Sequence, residues 1–238
     1  MEDLDRLNSK AETATTQLID LAAVGVRTDQ EVVFQSGRFD LYRRYVTLLE
    51  ESGLTFECFC TRREIQESVT APHAAFPRYL GTCRDLSESD RRQRSASRPA
   101  AIRLRTDRGQ DENSRIDDIV LVRNDGVPAY NLAVVVDDEM QGVTQVVRGE
   151  DLAHVTPSQN YLQRLLGFRT PEYVHLPLMI GPDGHRLSKR HGDVTLSDCL
   201  RLGFSATAVR SALLHSLELG TNGWDSSSSL AQWLKSLL

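Results

Sequence analysis

Residues 184–192, Gly184-His185-Arg186-Leu187-Ser188-Lys189-Arg190-His191-Gly192, crowd several cations into a loop bounded by glycines. The loop follows the apolar run YVHLPLMI, which reads as a buried strand, and α/β sheets bind ligands in the loops that leave the carboxyl ends of their strands. Lysine is scarce in this chain: Lys10, Lys189 and Lys235 are its only lysines. An ammonium is a compact charge that can follow phosphate oxygens as negative charge moves onto a pyrophosphate leaving group, so Lys189 is a candidate for phosphoryl chemistry. From charge alone a solvated basic turn is an equal reading of the same loop.

The cysteines offer a different chemistry. Cys58 and Cys60 are two residues apart and Cys83 follows after a loop, so three thiolates can converge on a tetrahedral ion that needs one more ligand. On spacing alone His73 is the preferred fourth ligand, because imidazole is the commoner partner. Nothing marks the chain as secreted, and in a reducing compartment clustered thiols suggest metal sooner than disulfide. Ordinary burial is the alternative, since free cysteine packs as a small hydrophobe. Cys199, alone in a helix-like stretch, is expected in the core.

These residues need elements to carry them. Apolar residues three or four apart predict helices over 4–24 and 37–52, the second entered at Ser36 and closed by Gly53. LTFECFC at 54–60 reads as a short strand, and Thr61 with Glu64 has capping-box spacing for a following helix. From 68 to 100 the apolar period disappears and loops are expected, followed by strands at 101–105 and 119–123 and a turn at Asn124-Asp125-Gly126. AVVVDD is short enough to be buried strand or buried helix. Thr156, Pro157 and Gln159 form a complete helix start, with cap, first-turn proline and capping-box partner, and Gly167 closes that helix. Helices are expected near 195–202, over 205–219 and after the serines at 226–229. Strands alternating with capped helices predict an α/β fold.

RLSKR resembles the KMSKS signature of class I aminoacyl-tRNA synthetases, and RLSKRHGDVTL is close to the form found in glutamyl-type enzymes. PAYNLAVVVDDEMQGVTQVVRGEDLAHVTPSQ, residues 128–159, resembles the stretch that builds their amino-acid pocket, and Glu2 in the opening MEDLD matches their acidic strand end. The resemblance implies a Rossmann-type catalytic domain of the class I synthetases. It assigns Lys189 as catalytic, Arg186, Leu187, Ser188, Lys189 and Arg190 to ATP, and Glu2, Tyr130 and Arg148 to L-glutamate. An arginine fork can grip a carboxylate bidentately while a phenol supplies one oriented hydrogen bond. Taken singly, Tyr130 reads as a core aromatic, Arg148 as a surface ion-pair partner and Glu2 as a helix amino-terminal acid.

Tyr79-Leu80-Gly81-Thr82-Cys83 is similar to the YxxxC element of the glutamyl-queuosine tRNA(Asp) synthetases. That likeness implies a zinc set of Cys58, Cys60, Tyr79 and Cys83, with His73 in reserve. It further implies ATP with magnesium, glutamate, and tRNA(Asp) bearing queuosine as substrates, in a monomeric cytoplasmic enzyme. The family begins with a strand and an HIGH-like ATP motif, which do not occur before Glu2, so the reading is of a catalytic domain without its first ATP segment. The expected domains are a catalytic part at 1–56 and 128–192, an inserted zinc-bearing and tRNA-acceptor-contacting region at 57–127, and a short helical part at 193–238. The alternatives are a non-catalytic tRNA- or zinc-binding remnant and a fragment of a glutamyl-tRNA synthetase.

Bulk properties bound these readings. At 238 residues and 40% hydrophobic content the chain can bury a core, and no run approaches the ~18 apolar residues of a membrane span. A net charge of −5 confines any RNA contact to local patches. The densest is Arg84, Arg91, Arg92, Arg94, Arg98, Arg103, Arg105 and Arg108, diluted by Asp85, Glu88, Asp90 and Asp107, and it reads either as an RNA backbone contact or as a salt-bridged solvated face. No GxGxxG follows a strand, which argues against hydride transfer.

Overall fold

The computed structural model describes residues 1–5, 9–68, 79–107, 116–178 and 195–218. Residues 1–5 are not helical. The Met1 amino group donates to the Val33 carbonyl at 2.6 Å and Gln35 N–H donates to Met1 O at 3.1 Å, so the segment lies along residues 33–36. The helix expected from residue 4 therefore starts later, as α1, Ala11–Ala23. Ser36 does not cap the next helix either. It sits in a 3-10 turn, Gln35–Gly37, and its N–H and hydroxyl both donate to the Asp3 carboxylate, at 2.8 and 2.5 Å.

Helix α2, Phe39–Glu51, turns Tyr42, Val46 and Leu49 inward, the three- and four-residue spacing that lines one face of a helix. Strand β1, Thr55–Cys58, then begins a sheet, and Thr61 starts α3, Arg62–Ser68, by the expected reciprocal box: Thr61 N–H donates to Glu64 Oε2 at 2.6 Å, and Glu64 N–H to Thr61 Oγ1 at 3.1 Å. A helix absent from the apolar period follows, α4, Glu88–Ser95, capped by Ser87. It is held by its cap and its charges rather than by an apolar face, none of its residues being buried.

Strands β2, Ala101–Leu104, and β3, Val120–Val122, complete an antiparallel three-stranded sheet in the order β1-β2-β3. Helix α5, Tyr130–Met140, resolves the ambiguous AVVVDD run as helix, and buries Leu132, Ala133, Val135, Val136 and Asp137. Strands β4, Gln145–Gly149, and β5, Glu172–Leu176, pair in parallel, with Arg148 opposite His175. The chain crosses between them through a 3-10 turn, Glu150–Val155, and α6, Thr156–Leu166, as a parallel connection requires. Gly167 closes α6 at φ +70°, the left-handed region that favours glycine. Helices α7, Leu196–Arg201, and α8, Ala206–Glu218, end the described part, and Cys199 is buried as expected.

The main core joins α2, β2, β3, α5 and α6 through Tyr42, Val46, Leu49, Leu104, Leu121, Leu132 and Leu162 among others. A second cluster, Phe56, Cys58, Phe59, Tyr79 and Cys83, lies at the far end of β1. No helix among the described residues is long and apolar enough to cross a membrane.

Candidate functional site

Arg148 stands on β4, and the elements around it turn neutral acceptors toward its guanidinium. Nη1 donates to Gln159 Oε1 at 2.8 Å, Nη2 to Thr156 Oγ1 at 2.8 Å and to the Leu152 carbonyl at 3.3 Å, and Nε to His175 Nε2 at 3.4 Å. The group also lies over the Tyr173 ring, 4.8 Å from its centroid, within cation–π range. A guanidinium only donates, so Gln159 must present its oxygen, and its nitrogen then donates to Asn131 Oδ1 at 3.0 Å. Gln159 is 1% exposed, and this chain of contacts links β4 through α6 to the first turn of α5.

The helix start expected at Thr156 is thereby corrected. Val155 is the cap and makes no side-chain cap bond, while the preceding 3-10 turn leads directly into the helix. The side chains of Thr156 and Gln159 face Arg148 instead, where a charged donor makes roughly twice as strong a bond as a neutral amide. Thr156, Gln159, Asn131 and His175 are thus site residues that the sequence reading missed. The signal for Thr156 and Gln159 was present in TPSQ, but capping-box spacing accounted for it.

Tyr130 opens α5 and lies beside Arg148. Burial raises its phenol above the ordinary value, aided by the Glu2 carboxylate and opposed by Arg148. Glu2 is exposed as a residue, yet partial desolvation raises its carboxyl, the terminal ammonium opposing and Asp137 adding to the shift. Asp138 is pushed up to about 6 by burial first, then by Asp137, with Arg148 opposing and Glu2 adding. Glu2, Tyr130 and Arg148, far apart in sequence, are therefore electrostatic neighbours in the fold, with Asp138 as a further acid that the sequence reading did not single out. Among the described residues no carboxylate pairs directly with Arg148. The bidentate grip expected of it requires an incoming carboxylate to exchange with at least one of the contacts now made.

The cysteines converge. The Sγ atoms of Cys58, Cys60 and Cys83 all lie within 4.8 Å of one another, with Cys60 and Cys83 at 3.5 Å. Tyr79 Oη joins them: Cys58 Sγ is 3.4 Å away and Cys83 N–H donates to it at 2.7 Å. Burial, the electrostatic influence of Cys58 and the hydrogen bond with Cys83 push the Cys60 thiol up to about 12. Cys83 goes the other way: burial opposes ionisation, but donors from the Phe59 backbone, Cys60 and Tyr79, with the Arg94 charge, hold it below the ordinary thiol value. Arg94 Nη1 is 3.6 Å from Cys83 Sγ and Arg103 lies 4.0 Å over the Tyr79 ring. Three soft donors and a phenol oxygen about one small space form a donor set that suits zinc. His73 lies outside the described residues.

Most of the arginine tract is internally compensated. Arg84 pairs with Asp118, Arg92 with Glu88, Arg98 with Glu64 at 3.0 Å, Arg105 with Asp85 at 2.8 Å and Arg91 with Glu57 at 3.7 Å. Arg108 lies outside the described residues, as do Arg186, Leu187, Ser188, Lys189 and Arg190.

The family described as tRNA synthetases class I (E and Q), catalytic domain, matches residues 1–215, and the chain belongs to that family. It is 52% identical over 229 residues to a glutamyl-Q tRNA(Asp) synthetase of Nocardia farcinica, covering 92% of this chain and 73% of that protein. A glutamyl-Q tRNA(Asp) synthetase of Cutibacterium acnes is 48% identical, with 92% and 65% covered. Glutamate–tRNA ligase 2 of Halorhodospira halophila is 37% identical, and the chain spans 48% of its length. The crystal structure of a glutamate tRNA ligase from Elizabethkingia meningosepticum in complex with its amino acid superposes with a TM-score of 0.64 at 25% identity, over 86% of this chain and 46% of that one. The fold is that of a class I synthetase catalytic domain, and the chain is of the aminoacyl-tRNA synthetase ligase kind.

Proposed function

We propose that this chain activates L-glutamate with ATP and transfers it to the queuosine base of tRNA(Asp). The observation that carries the reading is Arg148: a partly buried guanidinium with only neutral direct partners among the described residues is a receptor waiting for an anion. Tyr130 adds an oriented hydroxyl beside it, and Glu2 supplies negative charge for an ammonium group. Together they match one carboxylate and the ammonium of glutamate. The choice of acceptor is supported by two relatives named glutamyl-Q tRNA(Asp) synthetase, at 52% and 48% identity.

In this reading an oxygen of the glutamate α-carboxylate attacks the α-phosphorus of ATP and pyrophosphate leaves. A hydroxyl of the modified base then attacks the acyl carbon and AMP leaves. Lys189, with Arg186, Leu187, Ser188 and Arg190, meets the triphosphate, whose magnesium comes with it. The protein contributes mainly position and fixed charge. Cys58, Cys60, Tyr79 and Cys83 hold one zinc ion, which when bound cross-links the end of β1 to the Tyr79–Cys83 turn in the 57–127 insertion. The enzyme works in the cytoplasm as a monomer, with a catalytic part at 1–56 and 128–192, the insertion at 57–127 and a helical part at 193–238.

The test is transfer of labelled glutamate, with ATP, to tRNA(Asp) isolated with and without queuosine and, in parallel, to tRNA(Glu). Label on the queuosine-containing tRNA alone is expected. Label on tRNA(Glu) instead would support a second reading, a glutamate–tRNA ligase part, which the match to that class of protein favours. Label on neither tRNA contradicts both.

A further inference from the structure

Why a pocket should prefer a carboxylate over the nearly isosteric amide of glutamine is a question of charge, and Gln159 sits where that charge is set. Its Oε1 is 2.8 Å from Arg148 Nη1, it is 1% exposed, and its own nitrogen is bonded to Asn131 Oδ1 at 3.0 Å. A carboxylate at this position would hold Arg148 at least as well, since arginine binds carboxylates more strongly than amides. It would also neutralise the fork. The remaining direct partners are the Thr156 hydroxyl, the Tyr130 phenol, a backbone carbonyl and an imidazole, so Gln159 is the one member of the set whose isosteric acid would do so.

We propose that the uncharged carboxamide of Gln159 makes the pocket select a carboxylate over an amide, by holding Arg148 in place without neutralising it. Gln159 is a positioning residue in this role, acting through Arg148. Asp138 interacts with the fork through space but forms no direct pair with it among the described residues, so an anionic ligand keeps its claim on the guanidinium. Asn131 completes the device: by accepting from the Gln159 nitrogen it fixes the amide orientation and keeps the oxygen toward Arg148. The inference rests on reading Arg148 as a carboxylate receptor.

The test measures binding of L-glutamate and of L-glutamine to the full 238-residue chain by calorimetry, for wild type, Gln159→Glu and Gln159→Met. Wild type is expected to prefer glutamate. Gln159→Glu should weaken glutamate by at least about tenfold while leaving glutamine within about threefold, which collapses the preference. Gln159→Met loosens the fork without cancelling its charge, so it should weaken glutamate yet keep the ratio within about threefold of wild type. A folded Gln159→Glu that keeps the wild-type ratio, or a Gln159→Met that collapses it, overturns the inference while glutamate binding by wild type leaves the parent reading standing. A wild type that binds neither amino acid overturns both.

Discussion

Arg38 pairs with Asp137 at 2.8 Å across the junction between the start of α2 and the middle of α5. The same carboxylate accepts from Tyr42 Oη at 2.9 Å and from Gln35 Nε2 at 3.0 Å. Burial and the bond to Asp137 raise the Tyr42 phenol, which keeps its proton on the donating side. Gln35 in turn donates its backbone N–H to Met1, so one buried acid ties the segment carrying Glu2 to the helix carrying Tyr130.

Replacing Asp137 with alanine is therefore expected to cost about 3–5 kcal/mol, because it strands a buried guanidinium and two side-chain donors. Urea unfolding followed by circular dichroism measures it. A loss under about 1 kcal/mol would mean that water or a rearranged neighbour replaces the acid.

The pH dependence of stability should carry the mark of Asp138. Its carboxyl, ordinarily near 3.8, is raised to about 6 in the fold, so the folded state holds its proton more tightly than the unfolded chain. That contribution is fully present below about pH 3.8 and is lost as pH rises through about 6. Asp138→Asn should remove this component and stabilise the protein at pH 8 by on the order of 1–2 kcal/mol. Parallel pH profiles of wild type and variant in thermal unfolding would contradict it.

Metal analysis of the purified chain should find about one zinc per molecule, the capacity of a single four-donor site. Cys58→Ser, Cys60→Ser and Cys83→Ser should each abolish retention through dialysis, whereas Cys199→Ser, buried in α7 and away from the cluster, should not. Chelation should lower the unfolding temperature of wild type and leave that of the Cys83→Ser variant unchanged. Equal zinc content in all four variants would contradict the assignment.

Gly167→Ala should destabilise by about 1 kcal/mol, since φ +70° disfavours a side chain even though the space beyond its Cα is open. This glycine was legible as a helix stop in the sequence, and so were α2, the Thr61 capping box, β1 to β3 and the Asn124–Gly126 turn. Each rests on local rules of period, cap or turn. Much of what the sequence concealed depends on contacts between distant segments. Residues 4–10 have helical spacing, but residues 1–3 are drawn along residues 33–36 and α1 starts at Ala11. Helix α4 carries no apolar stripe, so period could not reveal it. The convergence of Cys58, Cys60 and Cys83 follows their spacing, and the approach of Tyr79 Oη matches the family element. The neutral shell of Arg148 was hidden because TPSQ satisfies a helix-start pattern while its side chains serve another strand.

Glutamate-dependent ATP–pyrophosphate exchange, run on the chain and on Arg148→Ala, tests the account most directly. Exchange should depend on glutamate, and the variant should lose at least about a hundredfold in kcat/KM for glutamate, the scale of a lost charged contact. Exchange that proceeds without glutamate, or that is as fast in Arg148→Ala as in wild type, would contradict the assignment of Arg148 as the receptor for the substrate carboxylate.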